Sequence, residues 1–455
     1  MVIPQRIHFV GIGGIGMSAL ARYLLARGHD VSGSDQSANG QVPDLRAAGA
    51  RIAVGHRAVN VRNAELVVVT SAAPESNPEI VAARELGIPV IKRAELLAEI
   101  SNAGFGIAVA GTHGKTTTSA LIGWILVSAA FDPTVLIGGT SANLGSNARV
   151  GGDRVVVEAD EYDASFLRLR PRIGVITNVE PDHLDFYGSV DRIHDAFRRF
   201  AAGVSETLVY CADDPILATI AGGLSVETIG YGRNAGTFRA SRIEEDGLMT
   251  SFSLIAPEGE TRFATPLAGP HHVLNVSAAI VVARVLGVPG PAITEAVASY
   301  RGVARRLEVK GEEGGVLVMD DYAHHPTEIK ADLAAIKKRY GRPLRVIFQP
   351  HTYSRTSDFL ADFAQSFSAA DAVYLLDIYA ARETDTRGMS GEDLARETSL
   401  RHPAVTYTPA MGECLVQIAR DTRPGDMVVT MGAGDVDRLG PAILDTMRAQ
   451  DSSPA

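Results

Sequence analysis

The sequence predicts an α/β protein of three domains, each built on a mostly parallel β-sheet. Short apolar, β-branched segments alternate with helical patterns along the 455 residues, as in a series of βαβ units. These segments are continuously apolar, as expected of strands that are covered on both faces. A chain of this length is too long for one hydrophobic core, and the alternating pattern restarts twice along it.

Residues 1–103 are predicted to form a Rossmann-like domain. Its expected strands and helix are Arg6–Val10, Met17–Arg27 (the helix), Asp30–Ser34, Leu66–Thr70 and Val90–Ile91. Residues 104–306 are predicted to form a central domain like that of P-loop ATPases. Its expected strands are Gly106–Ala110, Arg154–Val157, Ile173–Thr177 and Thr207–Tyr210.

The central domain is expected to carry a small antiparallel flap over Arg239–Phe263, where polar and apolar residues alternate between glycine-containing turns. A helical pattern over Leu274–Leu286 follows it. Residues 307–455 are predicted to form a second Rossmann-like domain, with a helix that starts near Pro326. Its expected strands are Gly315–Met319, Leu344–Phe348, Ala372–Leu376 and Met427–Met431.

Composition and charge narrow the classes of function. A formal net charge of −10 argues against nucleic acid as a partner. The only cysteines, Cys211 and Cys414, form no metal-binding or disulfide pattern, which favours a reducing cytoplasm. The most apolar stretches are interrupted by polar residues and glycines or are too short, so neither membrane insertion nor secretion is expected.

A glycine-rich loop between a predicted strand and a predicted helix indicates an ATP site. Such a loop places backbone N–H groups and a helix N-terminus around a phosphate; Lys115 would add a positive charge, and the Thr116 hydroxyl would reach Mg²⁺. The spacing between its two glycines is shorter than in the general GxxxxGK[ST] pattern. The alternative interpretation is a strand-to-helix turn in which the lysine and threonine are incidental. The loop residues are Gly111, Thr112, His113, Gly114, Lys115, Thr116 and Thr117.

Candidate metal ligands follow the next two strands of the same predicted sheet. Glu158 comes directly after one strand, and His183 follows the other. Because parallel strands end at one edge of the sheet, both could lie near the ATP loop and bind Mg²⁺. The alternatives are a solvated acidic turn, which accounts better for Asp160 and Glu161 than for Glu158, and a structural role for His183.

A second glycine-rich loop follows the first strand of the chain. Gly13, Gly14 and Gly16 belong to a GxGGxG sequence, and Asp35 ends the next strand 19 residues after Gly16. This pattern serves a dinucleotide or the diphosphate of a nucleotide sugar equally well. A nicotinamide-dependent dehydrogenase is therefore an alternative from a different class.

Two polar clusters in the last domain each follow a predicted strand, and they contain His324 and Arg355. Arginine presents a planar fork of donors, so Arg355 with His324 could bind a carboxylate or a phosphate. Ordinary polar loops are the alternative.

Taken in order, the motifs GIGGIGMS, GTHGKTTT, EADEYDASFL, TNVEPDHLD, DDYAHHPTEI, QPHTYSRT and GAGDV resemble those of the Mur ligases of peptidoglycan synthesis. The resemblance covers nearly the whole chain. It implies that the first domain binds a UDP sugar through Gly13, Gly14 and Gly16, and that the third domain closes over the substrates with the amino acid.

The resemblance also implies roles in the central domain. Lys115, Glu158 and His183 would be catalytic, Thr116, Glu158 and His183 would bind Mg²⁺, and His271 and Asn275 would lie near the adenine of ATP. The family usually has asparagine where this chain has His272. A non-catalytic nucleotide sensor is disfavoured, because it would not need two metal positions.

Within the family, the motifs are most similar to those of members that join L-alanine to the lactyl carboxylate of UDP-N-acetylmuramate through an acyl phosphate, giving ADP and phosphate. A member that attaches a tripeptide during recycling is the alternative. Several sister ligases carry a carbamylated lysine, but no lysine occurs between Lys115 and Lys310. The general base is expected near His183 or at His324.

Overall fold

A computed structural model describes residues 2–38, 40–381, 383–385 and 387–451. It confirms an α/β fold with three mostly parallel sheets. By compactness the chain divides into two units. The first unit comprises Met1–Ser241, Ser253–Phe263 and Leu274–Arg301, and the second comprises Arg242–Phe252, Ala264–Val273 and Gly302–Ala455. The domain boundaries expected after residues 103 and 306 stay predictions.

The first sheet is parallel and has the strand order β3-β2-β1-β4-β5. The order reverses at β1, so the loop after β1 lies at a switch point, where α/β sheets bind ligands. The strands are β1 Arg6–Val10, β2 Asp30–Asp35, β3 Arg51–Val54, β4 Leu66–Val69 and β5 Val90–Lys92. The helices are α1 Ile15–Ala26, α2 Val42–Ala47, α3 Pro78–Glu85 and α4 Arg93–Ala103.

The second sheet has ten strands in the order β15-β14-β13-β12-β11-β10-β6-β9-β7-β8. Its strands are β6 Phe105–Ala110, β7 Thr134–Ser141, β8 Ser146–Arg149, β9 Arg154–Glu158, β10 Ile173–Ile176, β11 Thr207–Cys211, β12 Glu227–Gly232, β13 Phe238–Asp246, β14 Met249–Ala256 and β15 Gly259–Thr265. The helices are α5 Lys115–Ser128, α6 Leu184–Tyr187, α7 Val190–Ala202, α8 Pro215–Gly222, α9 Pro270–Val285 and α10 Gly290–Ala298.

Strand β6 lies between β9 and β10, and all three are parallel. The loops that follow them therefore meet at one edge of the sheet, as the predicted site of the glycine-rich loop, Glu158 and His183 requires. The expected flap corresponds to β13, β14 and β15, which neighbour one another in sheet order. Their two-residue connections are those of β-hairpins, which join antiparallel strands.

The third sheet has the order β16-β17-β21-β18-β19-β20, and only the edge strand β16 is antiparallel to its neighbour. The loops after β17, β21 and β18 are therefore adjacent. The strands are β16 Glu308–Glu313, β17 Val316–Asp321, β18 Leu344–Phe348, β19 Ala372–Leu375, β20 Val405–Tyr407 and β21 Met427–Met431. The helices are α11 Pro326–Tyr340, α12 Tyr353–Asp358, α13 Leu360–Ala364, α14 Gly391–Ser399, α15 Met411–Asp421 and α16 Leu439–Asp451.

Apolar residues of the third sheet form cores on both of its faces. Leu317, Val346 and Val429 belong to one buried cluster, whereas Val318 and Val428 belong to another. Burial on both faces explains why these strands have continuous apolar sequences. Among the helices described, none has both the length and the apolar character that crossing a membrane requires.

Candidate active site

The glycine-rich loop after β6 has a backbone that only glycine adopts readily. Gly111 and Gly114 have φ values of 134° and 80°. A Cβ atom on Gly114 would lie 3.0 Å from Cγ of Asn275, and one on Gly111 would lie 3.0 Å from the backbone N of Thr177. Helix α5 begins at Lys115, and no described side chain caps it. Its first N–H groups are therefore available to an anion.

Residues after β10 hold this loop in place. The backbone N of His113 donates to Oδ1 of Asn178 at 2.9 Å, and Nδ2 of Asn178 donates to the His113 carbonyl at 3.1 Å. Thr177 Oγ1 donates to the same carbonyl at 2.5 Å, and the backbone N of Glu180 donates to Thr112 Oγ1 at 2.9 Å. The conformation of the loop thus depends on two neighbouring strands of the sheet.

The ammonium group of Lys115 is enclosed by the loop and by one carboxylate. Its Nζ donates to the carbonyls of Gly111 and Thr112 at 2.6 and 3.0 Å, and it lies 2.9 Å from Oε2 of Glu161. Burial disfavours the charged lysine, but Glu161 and the nearby Asp160 outweigh it and raise the pKa of Lys115. The lysine is thus held cationic beside the helix N-terminus.

Glu161 corrects one expectation, because it is not part of a solvated turn. Its exposed fraction is 3%, and its backbone carbonyl accepts a hydrogen bond of 2.6 Å from the Tyr187 hydroxyl. Burial raises the pKa of Glu161 to about 7, although Lys115 opposes this shift. Asp160 is only partly buried and pairs with Arg93 at 3.1 Å.

Glu158 lies against the first turn of α5. Its Oε1 accepts a hydrogen bond of 3.0 Å from Thr116 Oγ1, and its Oε2 accepts one of 2.8 Å from the backbone N of Gly138. In phosphate-binding sites that contain a lysine, Mg²⁺ takes carboxylate and hydroxyl oxygens as ligands. The residues therefore fit the ion that the sequence predicts here.

His183 lies at the start of the short helix α6 and has a φ of 52°, unusual for a residue other than glycine. Its ring packs edge-on against Tyr162 at 5.0 Å between centroids, and its Nε2 lies 3.7 Å from Oδ2 of Asp182. The Tyr187 hydroxyl ties the same helix to Glu161. The structure thus connects the segment of His183 to the site formed by Lys115 and Glu161, which we call the lysine site.

The loop after β1 brings together the residues predicted for a nucleotide sugar. The backbone N of Gly13 donates to Oδ2 of Asp35 at 2.9 Å. A Cβ atom on Gly16 would lie 3.0 Å from Nη1 of Arg93, and the same arginine pairs with Asp160. Gly14 is the N-cap of α1. Arg93 was not expected at the site, since nothing in its local sequence marks it.

In the third sheet, His324 and Arg355 are connected through a third side chain, His351. The rings of His324 and His351 lie 6.0 Å apart, and Nη1 of Arg355 lies 3.2 Å from Nδ1 of His351. The loop after β21 packs on the loop after β18, because Oε1 of Gln349 accepts a hydrogen bond of 3.2 Å from the backbone N of Val436. The two predicted clusters therefore form one group.

His271 and Asn275 both lie in α9, but they contact different residues. Asn275 packs against Gly114 of the glycine-rich loop, whereas Nε2 of His271 lies 2.9 Å from Oδ1 of Asp332. Asn275 is therefore beside the loop predicted to bind the phosphates of ATP.

Three family models match consecutive parts of the chain. They describe the Mur ligase family catalytic domain over residues 6–104, the Mur ligase middle domain over 109–283, and the Mur ligase glutamate ligase domain over 305–434. The chain belongs to the Mur ligase family. The three matches follow the order of the three sheets.

Similar proteins match this Mur ligase over nearly its whole length. A UDP-N-acetylmuramate–L-alanine ligase of Geobacter sp. (strain M21) is 44% identical over 99% of this chain and 99% of its own. One of Thermobifida fusca (strain YX) is 44% identical over 97% of this chain and 96% of its own.

Two solved structures share the fold. A UDP-N-acetylmuramate-alanine ligase of Thermotoga maritima has a TM-score of 0.85 and 30% identity, and the match covers 98% of this chain and all of that one. A murein peptide ligase of Psychrobacter arcticus has a TM-score of 0.75 and 26% identity, with 99% of this chain and all of that one covered.

Proposed function

We propose that this Mur ligase joins L-alanine to the lactyl carboxylate of UDP-N-acetylmuramate, with cleavage of ATP to ADP and phosphate, in peptidoglycan synthesis. The lysine site carries the proposal: Lys115 and the uncapped start of α5 form an anion site beside Thr116 and Glu158. The names of the full-length relatives support the choice of substrates.

The reaction needs an activated carboxylate, because an ionised carboxylate is a poor electrophile. In the proposed route the lactyl carboxylate attacks the γ-phosphate of ATP, ADP leaves, and an acyl phosphate forms. The amine of alanine then attacks the acyl carbon, and phosphate leaves the tetrahedral intermediate. Lys115 and the backbone N–H groups of the loop stabilise charge on the transferring phosphoryl group by position and electrostatics.

Thr116 and Glu158 are proposed to hold Mg²⁺, with His183 as a further ligand. When bound, the ion would neutralise phosphate charge and orient the phosphoryl group. To contact phosphate, Lys115 gives up hydrogen bonds to the carbonyls of its own loop. Until then, Glu161 keeps the lysine cationic.

The substrate groups are proposed to bind at the other two sheets. The loop of Gly13, Gly14 and Gly16 would bind the diphosphate of UDP-N-acetylmuramate, and Asp35 orders this loop through the backbone N of Gly13. His324 and Arg355 are proposed to contact the amino acid or the carboxylate. A reducing cytoplasm stays a prediction that two free, buried cysteines support.

A coupled assay of phosphate release tests the proposal. The protein with ATP, Mg²⁺ and UDP-N-acetylmuramate should release phosphate when L-alanine is added, and the product should gain the mass of one alanine residue. Turnover with a tripeptide but not with L-alanine would identify the recycling activity instead. Tight binding of NADH, followed by its fluorescence, would count against a ligase.

Lys115→Met is the decisive variant, with Lys310→Met as the matched control in another sheet. The first should lower kcat by at least about a hundredfold, as removal of one preorganised charge stabiliser does. The second should leave kcat unchanged. Equal activity of the two variants would refute the role of Lys115.

A further inference from the structure

The segment that precedes α9 is fixed to helix α11 within the second unit. Arg339 of α11 donates from Nη1 to the carbonyl of Pro266 at 2.5 Å and from Nη2 to that of Leu267 at 3.1 Å. Gly269 has a φ of 89°, and a Cβ atom on it would lie 2.8 Å from Cβ of Ala335. The backbone just before His271 is therefore held close to the middle of α11.

This close approach brings two histidines and one aspartate together. Nε2 of His271 lies 2.9 Å from Oδ1 of Asp332, and the rings of His271 and His272 are 4.2 Å apart. One ligating atom from each of the three side chains lies within 4.8 Å of the others. His272 and Asp332 are buried, whereas His271 is partly exposed and gives the cluster access to solvent.

The hydrogen bond of His272 defines its tautomer. Its Nδ1 lies 2.8 Å from the carbonyl of Ala268, which only accepts, so Nδ1 carries the proton and Nε2 the lone pair. Burial, then His271 and the guanidinium groups of Arg306 and Arg339, hold the pKa of His272 well below its usual value. A ligating histidine commonly donates its other N–H to a backbone carbonyl in this way.

We propose that His271, His272 and Asp332 form a binding site for one divalent transition-metal ion of the Zn²⁺ class, with the remaining coordination completed by water. Two imidazoles and one carboxylate are the donors that Zn²⁺, Co²⁺ and Ni²⁺ favour, whereas Mg²⁺ favours oxygen ligands alone. The ion would join the start of α9 to the middle of α11. The three ligands do not include Thr116 or Glu158, so the proposal does not depend on the proposed ligase reaction.

Metal binding can be measured on the full-length, nucleotide-free protein. Zn²⁺ is titrated against a chromophoric chelator in excess Mg²⁺, which occupies oxygen-only sites. We expect one Zn²⁺ equivalent per chain, and a visible ligand-field spectrum with Co²⁺ that Zn²⁺ abolishes. Wild-type protein that takes up no Zn²⁺ equivalent under these conditions would overturn the proposal.

The variants His271→Gln, His272→Gln and Asp332→Asn should each bind Zn²⁺ at least about tenfold more weakly, since each removes one of three ligands. His194→Gln, on helix α7, is the matched control and should bind as the wild type does. Circular dichroism checks each variant for folding. His271 is partly exposed, so its variant decides the question even if the buried ones fail to fold; unchanged binding by His271→Gln would contradict the site.

Discussion

Replacing Gly114 by alanine tests how the glycine-rich loop is built. With a φ of 80°, an L-residue at this position costs about 1–2 kcal/mol. The added methyl group would lie 3.0 Å from both Cγ and Nδ2 of Asn275, and such overpacking costs about 1–3 kcal/mol. The free energy of unfolding of the first unit should therefore fall by about 2–5 kcal/mol, the sum of the two effects.

The chain contains one tryptophan, and it reports on the same helix. Trp124 lies in α5, and its Nε1 donates to the carbonyl of Ala296 at 3.0 Å. Urea unfolding followed by tryptophan fluorescence therefore measures the unit that contains Gly114. In the double variant with Asn275→Ala the contact is relieved but the backbone strain remains, so the two changes should couple favourably by about 1–3 kcal/mol.

Gly145 supplies a matched control. Its φ is 66°, but a Cβ atom on it would have no neighbour within 4 Å. Gly145→Ala should therefore cost only the strain, about 1–2 kcal/mol. The reasoning is refuted if Gly114→Ala costs no more than Gly145→Ala, or if the effects of Gly114→Ala and Asn275→Ala simply add.

Three further predictions concern carboxylates. Burial opposes ionisation of Glu79, but the His8 imidazole, 3.6 Å away, and hydrogen bonds from Ser34 and Asn60 lower its pKa to about 2. The folded pKa of Glu79 is below the unfolded one, so its contribution to stability is present above about pH 4.5 and is lost as the pH falls towards 2. Glu79→Gln should therefore lower the free energy of unfolding in urea by about 3 kcal/mol at pH 7, and by less at pH 3. The pKa of Glu161 is raised to about 7, so its contribution is full below about pH 4.5 and lost as the pH rises through 7. Gln mimics the protonated acid, so melting temperatures of the wild type and Glu161→Gln should be closest at pH 5 and diverge as the pH rises to 8, with the wild type falling; a constant difference up to pH 8 would contradict the shift. Asp35→Asn weakens acceptance of the Gly13 N–H and should raise KM for UDP-N-acetylmuramate severalfold with KM for ATP unchanged, as steady-state kinetics would show.

Much of the fold is predictable from apolar runs, and four of the six missed strands share one cause. Strands β1, β18 and β21 have the bounds that their sequences predict. Strands β3, β8, β16 and β20 were not predicted, and each lies at the edge of a sheet. Edge strands are less buried and can be short and polar, as in Ser146–Arg149, so the apolar signal is lost. Strands β7 and β12 were also missed, although they lie inside the central sheet.

The candidate site shows a similar division. The loop around Lys115 and the position of Glu158 follow from local spacing, since each follows a strand of one parallel sheet. The burial of Glu161 does not, because it depends on Lys115 and Tyr187, which are 46 and 26 residues away. Arg93 begins helix α4, directly after the last strand of the first sheet, and no local pattern marks it.

Two ion pairs join the first sheet to the loop after β9: Lys92 with Asp163 at 2.6 Å and Arg93 with Asp160 at 3.1 Å. In each pair the cation lies within residues 1–103, and the anion lies in the loop after β9. A chimera that replaces residues 1–103 with those of a sister ligase would keep both aspartates but exchange their partners. A chimera should therefore retain both ion pairs only when positions 92, 93, 160 and 163 are exchanged together, which is a constraint on recombining such enzymes to change their nucleotide sugar.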